Sequence, residues 1–200
     1  MPVYLDDQEL ALPGTSLGAL LDAARVRAAD AGRVVVEVQV DGRVLSADKL
    51  DEQRDAPISE SEVHLVSIDP AQLGVDALAE ARTQLAALSD LQQEAAELLQ
   101  SDQAGEALAK LGGAIQGWIN IAQAVTQTSQ LNGIDLDALQ VAGEPASAVV
   151  VSLAEQLRSV KGLIETQDTT ALADAVGYEW PQVVTRWDAL LETLAAKLLG

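Results

Sequence analysis

The sequence predicts an α+β protein in two parts. Residues 1–68 read as a small domain of short strands around one helix, and residues 69–200 as an acidic antiparallel four-helix-type bundle. Three observations carry this. Val34 to Val40 alternates with period two, the repeat of a strand with one buried face. From Val75 onward apolar residues recur every three or four positions, the repeat of an amphipathic helix. Aromatic residues are only 2% of the chain and Phe is absent, so the core must be filled by Leu, Val, Ile and Ala, which suits helix packing.

In the first part, Val3–Leu5 and Glu9–Leu12 read as two strands around the turn Asp6-Asp7-Gln8, closed by Pro13-Gly14. Thr15 or Ser16 can cap the helix that follows, because a side-chain hydroxyl there accepts a bond from an orphan backbone N–H. Leu17, Leu20, Leu21, Ala24 and Ala28 fall on one face of that helix, which ends near Gly32. In the strand VVVEVQV, the spacing points Val34, Val36, Val38 and Val40 one way, and Val35, Glu37 and Gln39 the other. Asp41-Gly42 is the dipeptide of a type I′ hairpin turn, and Arg43-Val44-Leu45 the return strand. Ser46 to Ser61 reads as irregular, and Glu62 to Ile68 as the last strand.

The order strand, strand, helix, three strands over residues 2–68 resembles the β-grasp fold of ubiquitin-like and sulfur-carrier proteins. The hairpin, the helix, VVVEVQVDGRVL and the closing EVHLVSI carry the resemblance. A sulfur carrier ends in a Gly-Gly tail, whereas this strand runs on through Asp69-Pro70 into a helix. The resemblance therefore implies a docking fold without carrier activity.

Residues 67–74, SIDPAQLG, read as a short linker. Beyond it the helical stripes are Leu78, Ala81, Leu85, Leu88, Leu91, Ala95 and Leu98; then Leu108, Leu111, Ile115, Trp118, Ala122 and Val125; then Val150, Leu153, Leu157, Val160 and Ile164; and finally Val184, Trp187, Leu191, Leu194 and Leu198. Ser101-Asp102, Asn132-Gly133 and Gly143-Glu144-Pro145 mark the breaks, and no strand pattern returns. A short helix from Thr169 to about Val176 precedes Gly177, and Pro181 suits the first turn of the last helix.

The formal net charge is −19. Residues 1–68 carry 13 acidic and 6 basic side chains, and residues 69–200 carry 18 and 6, so both parts are acidic. That field repels phosphate backbones and anionic lipid surfaces, and the expectation is no nucleic-acid and no membrane partner. It serves solubility, or it steers a basic partner. The absence of Cys excludes thiolate metal sites and Cys nucleophiles and fits a reducing compartment. MPVYLDDQEL has neither a positive nor an apolar region, so it does not read as a signal peptide. The most apolar stretch, Leu111 to Val125, is shorter than a membrane span and carries Gln116, Asn120 and Gln123. The expected location is cytoplasmic.

No residue set stands out as catalytic, metal-binding or cofactor-binding, and the expectation is a non-enzymatic protein without a cofactor. His64, the one histidine, reads as a solvent-facing or core-satisfied strand residue. G-x-S-x-G, P-loop and G-x-G-x-x-G patterns are absent. Asp135 and Asp137 read as a cap before they read as a cation site. Gly112, Gly113 and Gly117 lie inside a helical period, where each costs up to about 1 kcal/mol relative to Ala. Close approach of a neighbouring helix compensates, or else a groove for a partner's backbone does.

The string Leu172 to Pro181 sets Tyr178, Glu179 and Trp180 at a helix junction. With Leu172, Ala173, Asp174, Tyr178, Glu179, Pro181 and Trp187 it resembles a pattern of bacterial helical proteins, some near motility functions. Gly177 departs from that pattern, and the resemblance implies no catalytic residue. One reading is a structural corner, in which Tyr178 and Trp180 cover the bundle end and Asp174 or Glu179 caps the last helix. The other is a partner-binding corner.

These readings converge on an intracellular interaction or adaptor module. Its partner is a protein, basic or an amphipathic helix, and its surfaces are a groove near Gly113, Gly117 and Trp118 and the corner Tyr178, Glu179 and Trp180. The alternatives are an oligomeric structural protein, built as a homo-oligomer, and a flagellar or secretion export chaperone.

Overall fold

Short β-branched runs and long leucine stripes sort this chain into two kinds of packing, a sheet under one helix and helices against helices. A computed structural model describes residues 2–10, 16–57, 61–101 and 103–200. The protein is mixed α+β and divides into two compact units, Met1–Pro70 and Ala71–Gly200.

The first unit holds a five-stranded sheet of β1 (Val3–Leu5), β2 (Gln8–Glu9), β3 (Val34–Val40), β4 (Arg43–Val44) and β5 (Val63–Ile68), in the order β2-β1-β5-β3-β4. β1 and β5 are parallel, and the other neighbours antiparallel. Both hairpins turn on two left-handed residues, Asp6 and Asp7 in the first, Asp41 and Gly42 in the second. β2 is shorter than the expected Glu9–Leu12. Ala11 and Leu12, like Pro13-Gly14 and Thr15, lie outside the described residues. Helix α1 (Leu17–Ala29) starts at Ser16, whose hydroxyl accepts from the Ala19 amide at 3.4 Å, and it buries Leu17, Leu20, Leu21, Ala24 and Ala28. These pack on Val3, Leu5, Val38, Val63 and Leu65 from the sheet.

Strand β3 departs from strict alternation. Val35 pairs with Ser67 and Glu37 with Val66, so Val36 is an extra residue in a β-bulge. The bulge resets the phase: Val35, Val38 and Val40 pack on the core, while Val34 and Val36 are exposed, Val36 at 52%. Period two fails here because one inserted residue moves every side chain before it to the opposite face. The stretch after Leu45, expected to be irregular, contains the short helix α2 (Ala47–Glu52).

The second unit contains α3 (Pro70–Gln100), α4 (Ala104–Leu131), α5 (Ala146–Glu165), α6 (Thr169–Asp174) and α7 (Trp180–Leu199). The expected linker 67–74 does not exist as such: Ser67 and Ile68 end β5, and Pro70 already occupies the first helical position, where a missing N–H costs nothing. Asn132 ends α4 and Gly133 follows in the left-handed conformation at φ 63°. A strand pattern does return. β6 (Gln140–Val141) and β7 (Glu144–Pro145) form a hairpin on Ala142 and Gly143, both at positive φ, too short to show as a period in sequence. Val141 from this hairpin is buried in the helical core, and Glu144 takes a bidentate pair from Arg186 at 2.7–2.8 Å.

Contacts along the helices fix their directions. The position where a Gly74 side chain would begin meets Thr128 and Leu198, while Leu88 lies at Gly117 and Ala96 at Gly177. Arg82 on α3 pairs with Asp188 on α7 at 2.8 Å. So α3 runs opposite to both α4 and α7. Leu78, Leu85, Leu88, Leu111, Trp118, Leu153, Val160, Trp187, Leu191 and Leu194 are all buried in one cluster. Leu108, expected in the stripe, is exposed instead; Ala107 and Leu111 hold the inner positions of that turn.

Between α6 and α7 the chain does not break at Gly177. It widens into a π-helical turn, Ala175–Glu179, closed by the Trp180 amide on the Ala175 carbonyl. Pro181 cannot donate to residue 177, and the wide turn absorbs that missing bond while helical rotation continues into α7. Neither Asp174 nor Glu179 caps α7, because no free helix N-terminus exists there to be capped.

Two glycines of the second unit predict opposite responses. A methyl at Gly74 would stand 2.9 Å from Thr128 Cγ2 and 2.8 Å from Leu198 Cδ1, whereas one at Gly162 meets nothing within 4 Å. Gly74→Ala is expected to destabilise by about 1–3 kcal/mol and Gly162→Ala to stabilise by up to about 1 kcal/mol. All three tryptophans lie in this unit, so indole fluorescence during urea unfolding reads both shifts.

Candidate functional site

Trp118 projects from α4 into the middle of the second unit and meets Trp187 of α7 edge to face, with centroids 5.5 Å apart and planes at 67°. Both rings are fully buried. An indole edge on an indole face is the arrangement the ring quadrupoles favour; both indole N–H groups are buried without a hydrogen-bond partner. Beside Trp118 a groove of about 390 Å³ runs between α4 and α5, walled by Ile119, Ala122, Val150, Leu153 and Leu157. No acidic, basic or histidine side chain lines it. It therefore offers no group to move a proton or hold a charge, and its chemistry is contact with apolar or amide surface.

The surface around this groove is unlike the rest of the chain. Residues 111–134 and 145–154 contain no Asp, Glu, Lys, Arg or His, in a protein of net charge −19. On α4 the outward positions are Gly112, Gly113, Gln116, Ile119, Asn120, Gln123, Thr126, Gln127 and Gln130, and on α5 Ala148, Val151 and Ala154. Ile119 is 39% exposed and Val151 58%, both large for apolar side chains with polar ones available.

The six residues singled out from sequence divide by exposure. Gly117 faces α3, its missing side chain making room for Leu88 Cδ1 at 2.9 Å, so its glycine serves internal packing. Gly113 is exposed, with only Leu91 Cδ1 nearby at 3.9 Å. Trp118 is in the core beneath the groove and offers no exposed surface. At the other end Trp180 is 2% exposed and belongs to the core, while Tyr178 is 69% exposed and Glu179 is exposed beside it. Ile119 and Val151 were not foreseen. The signal that could have found them is the run of uncharged residues on both helices.

His64 stacks on Tyr4 at 4.5 Å on the open face of the sheet, and its Nε2 lies 2.8 Å from Glu62 Oε1. Asp135 Oδ1 accepts from the Asp137 amide at 2.9 Å, capping a turn of the α4–β6 connection and no helix. Among the described residues no three His, Asp or Glu side chains gather in a way that could hold a metal. No described helix is long and apolar enough to cross a membrane.

The most ordered polar cluster lies in the first unit, at a pocket of about 330 Å³. Asp6, in the left-handed turn at φ 50°, accepts from the Ser67 amide at 2.7 Å and the Ser67 hydroxyl at 2.6 Å. Arg33 donates to Ser67 Oγ and the Ser67 carbonyl, and its Nε lies 3.3 Å from Asp6. Burial opposes ionisation of Asp6, but the two bonds from Ser67 and the Arg33 guanidinium outweigh it and hold its pKa below the ordinary 3.8. These bonds join Asp6, Ser67 and Arg33 and tie the β1–β2 turn to the end of β5.

No family model matches the chain, and no curated protein and no solved structure matches it.

A carboxyl whose folded pKa is depressed stabilises above the unfolded pKa, about 3.9, and that contribution is lost as pH falls through the folded value. Asp6→Asn keeps the turn preference but not the charge. Its Ser67 amide is expected to exchange faster than wild type at neutral pH, and the two Ser67 protection factors should converge only as pH falls through the depressed folded pKa of Asp6, below 3.8, as followed by NMR hydrogen exchange.

Proposed function

We propose that this chain is a non-enzymatic protein-interaction module, whose second unit docks a helical surface of a protein partner along α4 and α5. The charge-free groove with exposed Ile119 and Val151 carries the reading. Its lining from Trp118 to Gln127 runs about 14 Å along α4, room for two to three turns of a helix presenting apolar residues at i, i+3 or i+4, and i+7. A groove without titratable groups suits recognition over bond-making.

The architecture belonging to this reading is a β-grasp-like first unit and an antiparallel four-helix-type second unit. In favour of the first are the strand order β2-β1-β5-β3-β4, the parallel β1–β5 pair and one helix across one sheet face. In favour of the second are four long helices around one core, with α3 opposed to α4 and α7.

A photo-crosslinking residue at position 119 or 151, used in extract of cells that make the protein, is expected to give discrete protein adducts. The same residue at Val26, 64% exposed in the first unit, is not. Identical adduct patterns at all three positions would overturn the reading.

A further inference from the structure

We infer that the occupant of the α4–α5 face is a second copy of this chain, docked by the same face about a two-fold axis; this rests on the reading of that face as a protein-docking surface. The argument is electrostatic. Each copy carries −19, and the second unit alone has 17 acidic side chains against 6 basic, so two copies approaching at random bring like charges together. The face of residues 111–134 and 145–154 is where they meet without opposing carboxylates. A basic partner gains nothing there, because its charges are drawn to the acidic surfaces elsewhere.

The face also has the chemistry of its own complement. In a two-fold contact each patch meets itself. Ile119 and Val151 supply apolar contact, Gln116, Asn120, Gln123 and Gln127 are neutral donors and acceptors that pair with their own kind, and Gly112 presents backbone with open space where a side chain would stand. The charge-free stretch of α4 is roughly 30 Å long, and with the adjoining half of α5 it is two helices wide. That is the scale on which a specific interface buries about 800 Å² per partner.

Sedimentation velocity of the full chain over a wide concentration range, at about 0.02 and about 0.5 M salt, tests this. The expected result is a monomer–dimer equilibrium that tightens with salt, because screening removes the repulsion between acidic bodies while leaving an uncharged contact intact. Ile119→Glu and Val151→Glu are each expected to weaken dimerisation at least about ten-fold, with helical circular dichroism unchanged, and Val26→Glu to leave it as in wild type. A chain monomeric under all conditions, a dimer that salt dissociates, or a dimer untouched by both face variants overturns the inference. A strict monomer that still crosslinks another protein at positions 119 and 151 overturns the second copy alone; a strict monomer with no adducts there overturns the docking reading as well.

Discussion

A core without Phe has to be closed by something, and in the second unit it is closed by two indoles. Trp118 and Trp187 come from helices that neighbour each other only through the interior, and their edge-to-face contact fills the volume that leucine and alanine leave open. Small residues then let the outer helices close around that pair. Gly117 admits Leu88 and Gly74 admits Thr128 and Leu198, so α3 lies tight on both α4 and α7. The groove between α4 and α5 lies beside the same Trp118.

Two insertions of a single residue decide what the surface shows. The bulge at Val36 turns Val34 and Val36 outward and leaves Val35, Val38 and Val40 to the core. The π-helical turn at Ala175–Glu179 does the equivalent for a helix: it carries the chain past Pro181 without a break, keeps Val176 and Trp180 inside, and leaves Tyr178 outside. In both places local periodicity is correct on either side and wrong across the insertion. Gly113, Gly117 and Trp118 are legible in the sequence as helical, whereas Tyr178, Glu179 and Trp180 read as a junction between helices, and which of the six face solvent is not legible.

Charge acts at a coarser level. With −19 spread over both units, a second copy meets like charge over much of the surface. The uncharged stretches of α4 and α5 therefore stand apart, and they carry exposed apolar side chains at Ile119 and Val151. The Asp6–Ser67–Arg33 cluster is the contrasting use of charge, in which opposite charges and a hydroxyl bond one another inside one unit and hold the left-handed Asp6 turn in place.

By itself the sequence determined the division into a strand-rich part and a helical part, because hydrophobic period is a local property and survives in any context. It determined the α1 face, the Asp41-Gly42 turn and the α3 stripe for the same reason. Only the tertiary structure decided that α3 begins at Pro70 without a linker, that a β6–β7 hairpin plugs the helical core, and that Leu108 and Ile119 are exposed while Trp180 is not. Exposure is set by which neighbour covers a helix, and two helices with the same stripe differ in it. The uncharged runs on α4 and α5 were present in the sequence throughout, yet they become one surface only because the fold lays the two helices side by side.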